Sequence, residues 1–368
     1  MIHYYIVGHR VLLLARELGL GGTERQLAET ALALDRGEFQ PHVGCFTGGG
    51  FRARELGEAG VPILELGVRS FASGSAATGA RRMGAYLKAQ HIDLVHAFDV
   101  PLDIFAVPVA RWFGAKVVLS SQRASRALTP GMTRRMLRFT DRIADGIVVN
   151  SQAVARELSG EDGVPASKVR LVYNGVDTSR FQPEGERAPL PWQSGVAIGV
   201  VCALRPEKGL KLLIEAFQQV RPEHPEARMV IVGSGPMLEE LQGMGCDACH
   251  FEPAVKDVAP WLRAMDVFAL PSLSEALSNS LMEAMACGCC PIASDVGGNP
   301  ELVVHGETGL LFPSGDVGAL AARLELVLRD AELRRRLASA AERRMQTDFT
   351  REAAARRMGE VYREFLGR

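Results

Sequence analysis

Two glutamates, Glu275 and Glu283, carry the first chemical suggestion in this chain; they sit in the stretch 271–313, PSLSEALSNSLMEAMACGCCPIASDVGGNPELVVHGETGLLFP. The apolar run 267–270 reads as a buried strand, a short polar loop carries Glu275, and a helix is expected to begin near Asn279. Ser280 and Glu283 fit an S-x-x-E capping box; Leu281, Met282, Met285 and Ala286 supply an apolar face, and Gly288 and Pro291 end the helix. Two carboxylates therefore flank a helix N-terminus. The free N–H groups of such a terminus, aided by the helix dipole, attract an anion such as phosphate. A carboxylate, with two acceptor oxygens, suits a vicinal diol. One loop and one helical turn can thus grip sugar, phosphate and ribose, the order of groups in a nucleotide sugar. The bland alternative is a pair of solvated glutamates on an ordinary helix.

The elements that must position these residues follow from length and pattern. At 368 residues the chain calls for two domains. A hydrophobic content of 47% suffices for packed cores, and a formal net charge of −1 argues against general nucleic-acid binding. No run reaches the length of a transmembrane helix, and the apolar run 11–15 is flanked by Arg10 and Arg16, which does not suit a signal peptide, so a cytoplasmic protein is expected.

Apolar runs at 11–14, 42–46, 62–66, 93–97, 116–120 and 146–150 alternate with helical patterns, which predicts a parallel α/β sheet covered on both faces. Residues 1–9 precede the first convincing strand. Gly21 and Gly22 let the backbone approach a ligand closely, and Thr23 is the expected N-cap of the following helix. Ligands in such folds bind beyond the carboxyl ends of the strands, which places His96, Phe98 and Asp99, and then Ser121, Gln122 and Arg123, at the edge of a site. Asp99 has two readings, contact with a sugar or capping of the next helix. Residues 182–194, QPEGERAPLPWQS, read as a linker. A second domain opens with an apolar strand at 196–202, GSGP at 233–236 is a turn with room for a nucleobase near Gly233, and helices are expected at 317–328, 333–345 and 350–366.

Glu275 and Glu283 match the E-x7-E motif of the family-4 retaining glycosyltransferases, and the surrounding SEALSNSLMEAMACGCCPIASDVGGNPELV and HGETGLLFPSGD resemble that family closely. The resemblance implies the GT-B fold: two Rossmann-like α/β domains with a cleft between them and a C-terminal helix crossing back to the first. The implied division is 1–181 with 350–368 as an acceptor-side domain, 182–194 as linker, and 195–349 as the nucleotide-sugar donor domain. Within it, Arg205 and Lys208 resemble the cations that neutralise the diphosphate, although Ala203 occupies the commonest Arg position. Glu283 would hold the ribose, Glu275 the sugar hydroxyls, and backbone N–H groups near Leu277 and Ser278 the phosphates. Val255 and Lys256 resemble the loop that contacts the base, and GGTERQ at Gly21–Gly22 resembles the family's glycine-rich loop facing the donor. His96 resembles the first histidine of a family pattern close to H-x-H and would serve with Asp99 in catalysis, although Phe98 stands where many members carry the second histidine, and Ala276 stands where glycine is common. The implied reaction is transfer of a UDP- or GDP-linked hexose to a hydroxyl of a glycan or lipid-linked acceptor, with retention. Its setting would be polysaccharide, glycolipid or cell-envelope glycan synthesis. No two aspartates are spaced as D-x-D, so no metal and no cofactor is expected, and preorganised cations would take the metal's place.

A GT-B sugar-nucleotide 2-epimerase needs paired acid and base residues that the sequence does not offer. A dinucleotide oxidoreductase needs G-x-G-x-x-G, which GLGGTERQ lacks, and a dead sugar-binding module would not need Glu275, Lys208 and Glu283 intact. Cys246, Cys249 and His250 match the C-x-x-C-H haem pattern, and Cys287 and Cys290 form a second C-x-x-C; packed, reduced thiols are expected instead. Finally, Arg123, Arg126, Arg134, Arg135, Arg138 and Arg142 crowd one stretch. On a helix from Thr133, Arg134, Arg138 and Arg142 share a face, either a solvated face or one that meets an anionic membrane surface.

Overall fold

The computed structural model describes residues 8–192, 194–244 and 248–367. Two compact units divide the chain: Met1–Gly175 with Arg351–Arg368, and Val176–Thr350.

The first unit is built on a seven-stranded sheet of β1 (His9–Ala15), β2 (Phe39–Cys45), β3 (Ile63–Glu65), β4 (Leu94–Ala97), β5 (Val117–Gln122), β6 (Gly146–Val149) and β7 (Val169–Leu171), in the order β3-β2-β1-β4-β5-β6-β7. All pairings are parallel, as the alternation of apolar runs with helices requires. The side chains of β1 show why the sheet is covered on both faces: Val11, Leu13 and Ala15 join one core, and Leu12 and Leu14 the other. The strand starts at His9, two residues ahead of the expected apolar run, because His9 pairs in register with Phe39. Residues 1–7 of the expected extension lie outside the described residues.

The helix Arg351–Leu366 belongs to this unit, where Met358, Val361, Tyr362 and Phe365 enter the core that contains Val11 and Leu13. Burying each of these side chains is worth roughly 1.5–3 kcal/mol. Gly146 makes room for it: a Cβ there would stand 2.4 Å from the Phe365 ring.

The second unit is a six-stranded parallel sheet of β8 (Ala197–Val201), β9 (Arg228–Val232), β10 (Cys249–Glu252), β11 (Val267–Leu270), β12 (Cys290–Ser294) and β13 (Leu310–Phe312), in the order β10-β9-β8-β11-β12-β13. The boundary between units falls at Gly175/Val176, ahead of the expected linker. Much of 182–194 lies on the second unit because Arg263 draws it there, donating to the carbonyls of Gln182 at 2.9 Å and Glu186 at 3.2 Å.

Candidate functional site

In the second unit the ends of two neighbouring strands, β8 and β11, bring a lysine and a glutamate together. After β8 the chain makes a single 3-10 turn, Pro206–Lys208, closed by Gly209 in the left-handed region at φ 64°. A Cβ on Gly209 would lie 2.2 Å from the Pro271 carbonyl, so glycine is what lets this turn press against the loop that follows β11. Leu273 N donates to the Glu207 carbonyl at 2.8 Å and fastens the two loops. Lys208 Nζ thereby donates to Glu275 Oε2 at 2.7 Å, and Ser272 Oγ donates to the same oxygen at 3.2 Å. The pair is mostly shielded from water, with the lysine side chain 21% and the glutamate 13% exposed.

A third loop holds Glu275 from behind. Gly297 has φ 53°, and a Cβ there would fall 1.6 Å from the Glu275 carbonyl. Ser294 Oγ donates to the Ser272 carbonyl at 2.6 Å. Gly297, Ser272 and Ser294 were not singled out from the sequence. Their signal was present in DVGG and PSLSE, but what they touch was not.

The helix that follows runs Asn279–Ala286, and its N-cap is Ser278, whose hydroxyl accepts from Leu281 N at 3.3 Å. The expected capping box is therefore corrected: Ser280 lies inside the helix, and Glu283 sits on its second turn. Glu283 is buried, 4% exposed, which removes the reading of a solvated glutamate. Leu277 is buried beside the cap, and Gly288 ends the helix region with φ 81°. Arg205 is not drawn to the Lys208–Glu275 pair; its side chain is 64% exposed and lies 4.0 Å from Glu207. Gly233 packs the ends of β8 and β9 together, since a Cβ would meet the Cys202 carbonyl at 1.9 Å. Val255 is half-buried and Lys256 exposed, in a loop tied to the GSGP turn by Ala254 N donating to Ser234 Oγ at 3.0 Å.

In the first unit a pocket of about 260 Å³ opens at the carboxyl ends of β1, β4 and β5, lined among others by Arg16, Glu24, Phe98, Asp99, Ser121 and Arg123. The helix Gly22–Ala33 starts at Gly21, which is its N-cap, and the expected N-cap Thr23 falls on its first turn. A Cβ on Gly21 would lie 2.1 Å from Glu24 Oε2, so the glycine leaves space for that carboxylate at the helix start. Burial raises the Glu24 carboxyl above its ordinary value, opposed by its own backbone hydrogen bond.

Asp99 caps the helix Val100–Trp112, with Oδ1 accepting from Leu102 N at 3.0 Å, while Oδ2 accepts from Arg16 N at 2.6 Å. Burial pushes its carboxyl up to about 6. His96 is fully buried and both ring nitrogens are engaged, Nδ1 with the Tyr362 hydroxyl at 2.9 Å and Nε2 with Ser121 Oγ at 2.8 Å. The expectation of a catalytic His96 is corrected accordingly: it has no nitrogen left for a substrate. Phe98 underlies Arg123, whose guanidinium lies 4.7 Å from the ring centroid, and Arg123 donates to Asn174 Oδ1 at 2.8 Å. Burial lowers Arg123 to about 10.

The arginine stretch divides in an unexpected way. Arg126 is 2% exposed and makes a two-pronged bond to Asp141 at 2.7 and 2.9 Å. On the helix Gly131–Ile143, Arg134 and Arg138 both bind the buried Asp162, at 2.8 and 3.1 Å. The expected shared face of Arg134, Arg138 and Arg142 is thus largely neutralised. The exposed face instead presents Met132, Arg135, Met136, Phe139 and Arg142.

Among the described residues no group of three His, Cys, Asp or Glu side chains is arranged to hold a metal ion. Cys45, Cys202, Cys287, Cys289 and Cys290 are free, and burial pushes Cys287 and Cys290 each to about 12, so they stay protonated. Cys249 departs from the expected reduced state, being disulfide-bonded, and Cys246 lies outside the described residues.

This architecture has relatives. The Glycosyltransferase Family 4 model matches residues 20–180, and the Glycosyl transferases group 1 model matches residues 187–344. The chain belongs to the family-4 glycosyltransferases. Among its relatives in the family is the sulfoquinovosyl transferase SQD2 of Arabidopsis thaliana, 28% identical over 73% of this chain and 56% of that protein. Another is the GDP-mannose-dependent alpha-(1-6)-phosphatidylinositol monomannoside mannosyltransferase of Mycobacterium tuberculosis, 34% identical over 63% of this chain and 65% of that one. The chain thus spans between about half and two thirds of the length of these relatives. The GT-B fold is shared with Anabaena Alr3699/HepE, solved with UDP and glucose, at a TM-score of 0.83 and 22% identity over 96% of this chain and 98% of that one. It is shared too with sucrose-phosphate synthase from Thermosynechococcus elongatus, at 0.82 and 21% over 98% and 99%. The epimerase alternative gains no support from these matches.

Proposed function

We propose that this family-4 member is a retaining, metal-independent hexosyltransferase. It moves a sugar from a UDP- or GDP-sugar to a hydroxyl of a glycan or lipid-linked acceptor in polysaccharide, glycolipid or cell-envelope glycan synthesis. The observation that carries the reading is the Lys208–Glu275 pair, 2.7 Å apart and mostly shielded, with Glu283 buried on the adjoining helix. An ammonium has three donors, so Lys208 can keep Glu275 and still meet a diphosphate oxygen as charge develops on the leaving group. Glu275 takes the sugar hydroxyls, Glu283 the ribose, and the N–H groups of Leu277 and Ser278 the phosphates. Gly233, Val255 and Lys256 line the base, and Arg205, largely exposed, is available to the outer phosphate. Retention follows if the acceptor attacks the face the diphosphate leaves, its proton passing to the leaving phosphate. Support comes from relatives and neighbours whose names specify GDP-mannose, UDP and UDP-glucose.

The test is incubation with a panel of nucleotide sugars and acceptors, with and without EDTA, reading free nucleoside diphosphate. Release with one donor, undiminished by EDTA, is expected; activity that EDTA abolishes and manganese restores overturns metal independence.

The protein is further proposed to be cytoplasmic and to work peripherally at the inner membrane face. No helix among the described residues is long and apolar enough to cross a membrane. The supporting observation is the exposed face of the helix Gly131–Ile143, with Met132 68% and Phe139 56% exposed, beside Arg135 and Arg142.

A further inference from the structure

A line of hydrogen bonds runs from the wall of the first unit's pocket into its core, and the transfer chemistry leaves it unused. Ser121 Oγ meets His96 Nε2 at 2.8 Å, and His96 Nδ1 meets the Tyr362 hydroxyl at 2.9 Å. His96 and Tyr362 are 0% exposed and Ser121 is 2% exposed, at the pocket lining. Tyr362 comes from the returning helix, 266 positions along the chain from His96. Each member of this line can donate or accept, so the position of one proton decides all the others.

A buried phenol gives its proton to an acceptor. Among the described residues the partner of the Tyr362 hydroxyl is His96 Nδ1. The Arg123 charge acts on both Tyr362 and His96. It attracts the phenol's lone pairs and so turns the proton away from itself, toward the ring. Burial first, and Arg123 second, hold His96 well below its ordinary value, so the imidazole is neutral and carries a single N–H.

We propose that Tyr362 is a positioning residue: by donating to His96 Nδ1 it fixes the Nε2–H tautomer, His96 donates to Ser121 Oγ, and the Ser121 hydroxyl is left to donate into the pocket. The polarity of the pocket follows. From β5 and the residue that follows it come donors, the Ser121 hydroxyl and the Arg123 guanidinium, whose Nε lacks a hydrogen-bond partner among the described residues. From the β1 and β4 side come two carboxyl groups, Glu24 and Asp99. A group lodged among them must accept on one side and donate on the other. The hydroxyls of a neutral polyol do both, whereas a phosphate or carboxylate brings negative charge up against two carboxyl groups. Assigning the pocket to the acceptor rests on the proposed function; the tautomer does not.

The test is nitrogen-15 NMR of histidine-labelled protein, together with titration of methyl α-glucopyranoside as a neutral polyol probe and of inorganic phosphate. Wild-type His96 is expected as the Nε2–H tautomer, and Tyr362→Phe is expected to lose that preference while Met358→Leu, on the same helix, keeps it. Affinity for the probe should fall roughly three- to tenfold in Ser121→Ala and in Tyr362→Phe, with phosphate failing to displace it. The proposal is overturned by an Nδ1–H tautomer in the wild type, by unchanged probe affinity in Ser121→Ala, or by displacement of the probe by phosphate. If Tyr362→Phe does not fold, the wild-type tautomer and Ser121→Ala still decide. Wild-type protein that binds neither UDP nor GDP sinks the transferase reading, and the tautomer then still supports or overturns the role of Tyr362.

Discussion

At the scale of single residues, two carboxylates differ in what their surroundings do to them. Glu283 is buried on the helix Asn279–Ala286, and its proposed partner, a ribose diol, is the same in ground and transition states. Glu283→Ala should therefore weaken nucleoside diphosphate binding by roughly 10- to 100-fold and change turnover little, the loss expected for charge-assisted hydrogen bonds. Calorimetric titration of a variant that still melts cooperatively measures it; an unchanged affinity rules the role out. Asp99 is raised from its ordinary 3.8 to about 6, chiefly by burial. A raised folded value means the unfolded state ionises first. Its contribution to stability is thus fully present below about 3.8, falls as pH rises toward about 6, and is flat beyond. Carbon-13 titration of the Asp99 carboxyl should show a midpoint near 6, and a midpoint near 3.8 would contradict the burial argument.

At the scale of elements, the Lys208–Glu275 arrangement depends on how closely three loops approach at the carboxyl end of one sheet. Gly297 is the tightest point, with positive φ and no space for a Cβ against the Glu275 carbonyl. Gly297→Ala should cost roughly 1–3 kcal/mol through backbone strain, measured by urea unfolding. Because the displaced segment carries Glu275, turnover should fall more than stability alone explains. A variant with wild-type stability and turnover would show that the loop yields freely. The helix Asn279–Ala286 owes its start to Ser278, a cap of the kind worth about 1 kcal/mol. The same serine's backbone is the proposed phosphate contact, so the cap positions the ligand group as well as the helix.

At the scale of the molecule, the net charge of −1 conceals a local asymmetry. Asp162 gathers Arg134 and Arg138, and these cations hold its carboxyl low even though burial works the other way. Left outward on the same helix are Met132, Met136 and Phe139, one helical face flanked by Arg135 and Arg142. Trp112, 86% exposed, stands at the end of the preceding helix, where Arg111 donates to the Ile143 carbonyl at 2.8 Å. Co-sedimentation with vesicles should favour anionic over neutral lipid and weaken with salt. Replacing Arg135 and Arg142 by Gln should cost about 1 kcal/mol each. Phe139→Ala with Trp112→Ala should weaken binding further, whereas Arg134→Gln should change it little. Equal, weak binding to both lipids, indifferent to these changes, would leave only a solvated face.

The sequence by itself determined the strands, their parallel order of succession with helices, and the loop that carries Glu275. These follow from apolar runs, turn residues and the period of each element, all of which act over a few neighbouring positions. Even there, caps slipped: Ser278 and Gly21 start the helices where Ser280 and Thr23 were expected, because a cap is chosen by which hydroxyl or turn the folded loop presents. The tertiary structure alone decided which charges are free. Six arginines in one stretch look alike in sequence, yet Arg126 is sealed against Asp141 and Arg134 and Arg138 are paired with Asp162, while Arg135 and Arg142 face water unpaired with that carboxylate. It also decided that His96, well placed at a strand end, is closed off by Ser121 and by Tyr362 from the far end of the chain. Burial and pairing depend on partners distant in sequence, and no local pattern records them.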